Sequence, residues 1–405
     1  MQINVYLLTS SIHNKTAIEK TTREYLTQLN AALLSIQSKV QLVMQNDFST
    51  FDTEFLDLIF VRTGGTEGVF RQMEKEYPSV RDAGNIHLLT SGENNSLAAS
   101  VEILSYLNQN NRKGGILHGS ISYVAKQIDR LARIAHAKQQ LRGQRIGVLG
   151  EPSDWLIASR VDEVILQQKL GITLERISIS ELVQEIEQHN YPKEVEERLH
   201  ATDKYPVQGA LHIYGAIRRL ISKYRLNAIT LRCFDLLSLV HNTGCLALAL
   251  LNEEGIPASC EGDIPALLTM MISNALTGVS GFQANPSRID PETGKIVFAH
   301  CTIPLNMVTS YRYNTHFESG IGVAIQGELP EGKATLLKMD GNLTRCFVQD
   351  VMLCNNPHEE QLCRTQIVVD APEAIDYFFH HPIGNHHIIL PGHHTELINA
   401  FWKSL

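Results

Sequence analysis

The chain has no CxxC pair, no GxGxxG turn, no GxxxxGK[ST] loop and no apolar run approaching the roughly 20 residues that span a bilayer. Each absence removes a class of protein. Seven cysteines, all beyond residue 230 and odd in number, make neither a disulfide framework nor a zinc ribbon. They are expected as reduced thiols in a cytoplasmic protein. The glycine-bearing turns RTGGTEG (62–68) and TSGENNS (90–96) lack the spacing that cradles a dinucleotide or a triphosphate. They still offer N–H groups and hydroxyls at strand ends. Excess positive charge is missing too: the net charge is -8, so nothing draws the whole chain to nucleic acid. The basic run Arg218, Arg219, Lys223 and Arg225 reads as the solvated face of a helix. The opening MQINVYLL reads as a strand rather than a signal peptide, and no membrane partner is expected.

What is present is an ordinary folding composition, 43% hydrophobic and 19% charged, over 405 residues. That length predicts two or three domains. INVYLL, FLDLIFV and NIHLL alternate with helical spacing such as TAIEKTTREYLTQLNAALL, which indicates a parallel sheet with crossover helices. A second unit starts at QRIGVLGEPSDW, where Ser153 or Asp154 is available to cap a following helix. After about residue 285 short β-rich pieces with Gly and Pro punctuation take over. The expected class is α/β: two Rossmann-like parallel-sheet domains, 1–142 and 143–284, then a β-rich antiparallel barrel-like domain, 285–405, closed by the helix TELINAFWKSL.

Two polar clusters could carry chemistry. In ASCEGDIPALLTM, Glu261 and Asp263 precede an apolar helix. Acids are seldom buried unless paired or bound to a metal. Asp263 therefore reads either as a helix cap or as a metal or acid–base carboxylate, and Glu261, two residues earlier, is not needed for a cap. In GNHHIILPGHHTE, His386 and His387 would point to opposite faces of a strand, so one of them faces any given site. Between the clusters lie His300 and Cys301 in AHCTIP, and His316 and Glu318 in THFESG. His316 and Glu318 are expected on one strand face. Either could bind sugar hydroxyls or move a proton. Cys301 is a nucleophile only if a base lowers its pKa, and otherwise a core residue.

These residues resemble the L-fucose isomerase and L-arabinose isomerase superfamily, in its shorter fucose-isomerase-related branch. The likeness rests on ASCEGDIPALLTMMISNALTG, HCTIP, THFESGIGVAIQG and the terminal GNHH, and covers most of residues 145–405. It implies aldose–ketose isomerisation of a sugar through an enediolate. It also implies Mn²⁺ or another divalent cation held by two carboxylates and a histidine, and a homo-oligomer, trimer or hexamer. By that match Asp263 and His386 are metal ligands, and Glu261 is a catalytic carboxylate or a ligand. Glu318 and His316 are its substitutes in proton transfer. The other carboxylate should fall near LRCFD, where Asp235 is the acid present. Arg232, His300 and Cys301 would line the substrate, with Arg232 suited to an anionic substituent. A lyase or epimerase on a sugar derivative, or a sugar-binding protein without activity, would draw on the same features.

Overall fold

The computed structural model describes residues 1–199 and 204–405. It divides into two compact units, 1–139 and 140–405. In the first, five parallel strands form one sheet: β1 (Gln2–Leu8), β2 (Gln41–Gln45), β3 (Leu58–Val61), β4 (Asn85–Leu89) and β5 (Lys113–Leu117), in the order β2-β1-β3-β4-β5. Leu58 to Val61 are all buried, the continuous apolar run expected of a strand covered on both faces. Two apolar clusters lie on opposite faces of this sheet. One joins Leu26, Leu29 and Leu33 to Val124 and Ile128, and the other joins Phe70 and Met73 to Ala99 and Ile103.

The second unit holds a parallel and an antiparallel sheet. β6 (Arg145–Leu149), β7 (Thr173–Ile177), β8 (Ala228–Leu231) and β9 (Ala258–Cys260) run parallel in the order β7-β6-β8-β9. The antiparallel strands are β10 (Phe282–Asp290), β11 (Lys295–His300), β12 (Ser310–Asn314), β13 (Ala324–Glu328), β14 (Gly332–Met339), β15 (Cys346–Leu353), β16 (Thr365–Asp370) and β17 (His387–Pro391). Six of them pair in the order β10-β11-β16-β15-β14-β17, and β17 also pairs with β10. β12 and β13 form a separate ribbon. One apolar core takes residues from both sheets, Leu231 and Cys260 beside Phe298, Leu336 and Ile389.

The helix Ile264–Thr277 sits between these sheets, touching β8 and β9 on one side and β14 and β17 on the other. It is apolar nearly all round, as a helix buried on every side must be. Its N-terminus therefore opens where the two sheets meet. No described helix is long and apolar enough to cross a membrane.

Two local expectations change. Residues 150–162 contain no helix. The next one, Glu163–Leu170, is capped by Asp162, so neither Ser153 nor Asp154 is a cap. His316 and Glu318 do not share a strand face, because β12 ends at Asn314 and the chain turns. His316 N–H donates to the Ile321 carbonyl and Gly320 N–H to the His316 carbonyl.

Candidate metal centre

The site begins at the carboxyl end of β9, where open parallel sheets place their ligands. Two successive left-handed residues follow it, Glu261 with φ 65° and Gly262 with φ 72°. Gly262 has no alternative, because a Cβ there would lie 2.6 Å from Pro152 Cα. A left-handed non-glycine residue costs about 1–2 kcal/mol, strain of the kind that collects at functional sites. The turn delivers Asp263 as the N-cap of the helix Ile264–Thr277, one oxygen accepting the Ala266 N–H at 2.9 Å. The capping role expected of Asp263 is thus real, and it occupies only one of the two oxygens.

The other oxygen, Oδ2, lies 2.8 Å from His386 Nδ1 and 3.5 Å from the Lys338 ammonium of β14. All three groups are essentially without solvent contact. His386 stands just before β17 and faces inward. Its neighbour His387 turns the other way, to the Tyr377 hydroxyl at 2.9 Å, as strand alternation requires. The far side of His386 presents Nε2 to Glu261 Oε1 at 3.5 Å, and His300 Nε2 is 4.0 Å from that same oxygen. His300, the last residue of β11, is fixed through Nδ1 to the Thr302 hydroxyl at 2.9 Å.

Among the described residues, Glu261, His300 and His386 form the group whose ligand atoms all lie within 4.8 Å of one another. Ligands held about 2.0–2.2 Å from one cation stand about 3–4 Å apart, so the spacing suits a divalent ion. The donor set of one carboxylate and two imidazoles suits it as well. A further observation agrees: His386 Nε2 is buried and makes no well-formed hydrogen bond, its nearest acceptor being Glu261 Oε1 at 3.5 Å. Buried nitrogens are almost always satisfied. With Nδ1–H donated to Asp263, the neutral form of His386 would present its Nε2 lone pair to Glu261 and His300.

Burial and neighbouring charges shift the titratable groups of the centre. Burial opposes charge on His386, but the Asp263 and Glu261 carboxylates on either side of the ring outweigh that and hold its pKa at about 9. Burial raises Glu261, and the His386 bond and charge, with His300 and the Trp155 N–H, reverse the effect and bring it to about 2. Asp263 is likewise held below its usual range, its burial outweighed by Lys338 and His386. Burial presses His300 down to about 4 and His387 down to about 3.

The signs follow for stability. His300 and His387, buried neutral, contribute fully above pH 6.5 and lose that contribution as pH falls. The two carboxylates contribute fully above about pH 4.5, the ordinary glutamate value, and lose their share as pH drops through their lowered values. His386 contributes fully below pH 6.5 and loses its share as pH rises through about 9. The chelated protein is therefore expected to lose melting temperature between pH 6.5 and 9 by an amount that His386→Asn does not show. Parallel melting curves of the two proteins across that window would count against the charged His386.

The other expected residues are not members of the cluster. Asp235 is outside the cluster, with Oδ1 3.0 Å from Arg232 Nε. Arg232 spends the rest of its guanidinium on the Pro152 carbonyl and Asp154, at 2.8 and 3.2 Å. His316 is buried in its turn, Nδ1 3.0 Å from the Ser319 hydroxyl, while Glu318 is exposed. Cys301 packs in a small core with Cys245 and Ala324, and bonds from the Cys245 and Cys363 thiols hold its pKa low. Two residues escaped the sequence reading. Lys338 had a signal, a lone cation inside the apolar strand KATLLKM. Trp155 had none.

A mixed α/β chain with a buried Glu–His–His cluster at a sheet end is the class of protein these features define. No family model matches the chain. It is distantly similar to the sulfoquinovose isomerase of Alkalicoccus urumqiensis, 24% identical over 327 residues, 77% of this chain and 71% of that protein. The sulfoquinovose isomerase of Priestia megaterium is 23% identical over 286 residues, 66% of this chain and 64% of its own length. That of a Clostridium species is 24% identical over 270 residues, 62% and 60%. The chain thus spans less than two thirds of the latter two. The distant relationship is to a sugar isomerase, though not specifically to fucose isomerase.

Proposed function

We propose that the protein is a metal-dependent sugar isomerase that interconverts an aldose and a ketose. Glu261, His300 and His386 would hold a divalent cation, with Mn²⁺ the first candidate. The observation that carries this reading is the cluster of Glu261, His300 and His386, with the buried Nε2 of His386 facing the other two. When bound, such a cation polarises a carbonyl and offsets negative charge on its oxygen.

The chain's own groups have distinct tasks. Asp263 fixes the tautomer and ring plane of His386, the usual duty of a carboxylate behind a ligating imidazole. Lys338 keeps Asp263 ionised inside the core. Isomerisation takes a proton from the carbon beside the carbonyl and returns one to the former carbonyl carbon. A second proton passes between the two oxygens. Glu261, engaged in the cluster, is poorly free for this work. Glu318, exposed, and His316, near His300, are proposed to move these protons.

The substrate is proposed to be a sugar or modified sugar, and sulfoquinovose, named for the relatives, belongs in the first panel. Incubation in D₂O with Mn²⁺ is expected to give ketose carrying solvent deuterium, and chelation to stop it. Absence of ketose from every sugar tried, with Mn²⁺ demonstrably bound, would refute the reading.

A further inference from the structure

The loop after β6 reaches Glu261 from outside the cluster, and nothing in the proposed chemistry uses it. It is tied down at four points. The Ser153 N–H donates to the Glu261 carbonyl at 2.9 Å. The Trp155 indole N–H donates to Glu261 Oε2 at 2.6 Å. The Arg232 guanidinium grips the Pro152 carbonyl and the Asp154 carboxylate. Pro152 packs so closely on Gly262 that no side chain fits between them. The indole is set by an edge contact with Phe234, ring centres 4.8 Å apart, and Phe234 stands edge-on to His316 at 5.4 Å. Yet Trp155 is 51% exposed, so packing alone does not explain a tryptophan here.

We infer that this loop is a clamp that builds the ligand carboxylate, with Trp155 as a positioning residue for Glu261. The inference rests on the cation reading above. A glutamate in a left-handed turn beside two imidazoles could rotate or turn both oxygens to a cation. The indole N–H occupies Oε2 and leaves Oε1 aimed at His300 and His386. The Ser153 bond holds the backbone of the same residue in its costly conformation. A ligand fixed in advance loses less conformational freedom on binding, and partners of this kind are worth about 10–100-fold in metal affinity.

The chain has two tryptophans, Trp155 and Trp402, so the bond can be observed directly. In full-length protein with ¹⁵N-labelled indoles, Trp402→Phe assigns the two N–H resonances. The Trp155 resonance is expected downfield, as a bond to a carboxylate requires, and to move upfield in Glu261→Gln. Trp155→Phe keeps the ring against Phe234 and removes the N–H. Its Mn²⁺ dissociation constant, read by electron paramagnetic resonance of free Mn²⁺, is expected to rise about tenfold while the chelated protein melts as before. An indole resonance blind to Glu261→Gln, or unchanged Mn²⁺ affinity in Trp155→Phe, overturns the clamp alone. A wild-type protein that binds no Mn²⁺ overturns the cation reading and the clamp with it.

Discussion

His386→Asn is expected to lose Mn²⁺ binding by more than about a hundredfold and to lose turnover, while the chelated protein stays folded. The asparagine amide can still donate to Asp263 from near the position of Nδ1. It has nothing at the position of Nε2, the buried atom that faces Glu261 and His300. Loss of an outer partner costs about 10–100-fold in metal affinity, and loss of a ligand itself should exceed that range. His386→Ala should do more harm. It leaves Asp263 without its imidazole and opens a cavity at a fully buried position, so a lower melting temperature accompanies the lost affinity. Isothermal calorimetry with Mn²⁺ and thermal melts separate the two effects. Mn²⁺ binding of wild-type strength in His386→Asn would remove His386 from the ligand set.

Lys338→Met should produce the largest change in stability. Lys338 and Asp263 are 1% and 0% exposed, so their charges face each other with almost no solvent between. Burial depresses the lysine pKa, and the aspartate opposes that depression. Removing one member of a buried pair costs about 3–5 kcal/mol, because the survivor is left uncompensated. His386 still balances Asp263, which places the loss at the lower end, about 3 kcal/mol. The melting temperature should fall by roughly 10 °C. Adding Asp263→Asn to Lys338→Met removes the orphaned charge and should recover part of the loss. The pair is therefore measured by a double-mutant cycle in denaturant. Equal melting of Lys338→Met and wild type would show that the pair carries no weight.

The centre was half legible. Glu261 and Asp263 stand out because carboxylates beside an apolar helix need partners, and His386 because the resemblance places a ligand histidine in GNHH. Their positions divide in a way that spacing does not reveal. Asp263 lies behind His386, its oxygens taken by a backbone N–H, an imidazole and a lysine. Glu261, which the resemblance leaves as a catalytic carboxylate or a ligand, stands in the cluster with His300 and His386. Asp235 is the acid that LRCFD offers, and in the structure it forms an ion pair with Arg232 outside the cluster. His300 reads from the sequence as a substrate-lining residue, since a histidine at a strand end looks the same whether or not it is a ligand.

The sequence by itself determined the local matters: parallel sheets from strands alternating with helices, β-rich structure after residue 285, and a capped helix at Asp263. These depend on periodicity, turn chemistry and capping, which act over a few residues. Only the tertiary structure decided which side chains meet. His386 lies 123 residues from Asp263, and Trp155 lies 106 from Glu261. Their contacts depend on one buried helix seated between a parallel and an antiparallel sheet. No local preference encodes that seating. It follows from both sheets burying their apolar faces against the same helix, which carries the three chemical groups of the CEGD turn and the strands around it to one point.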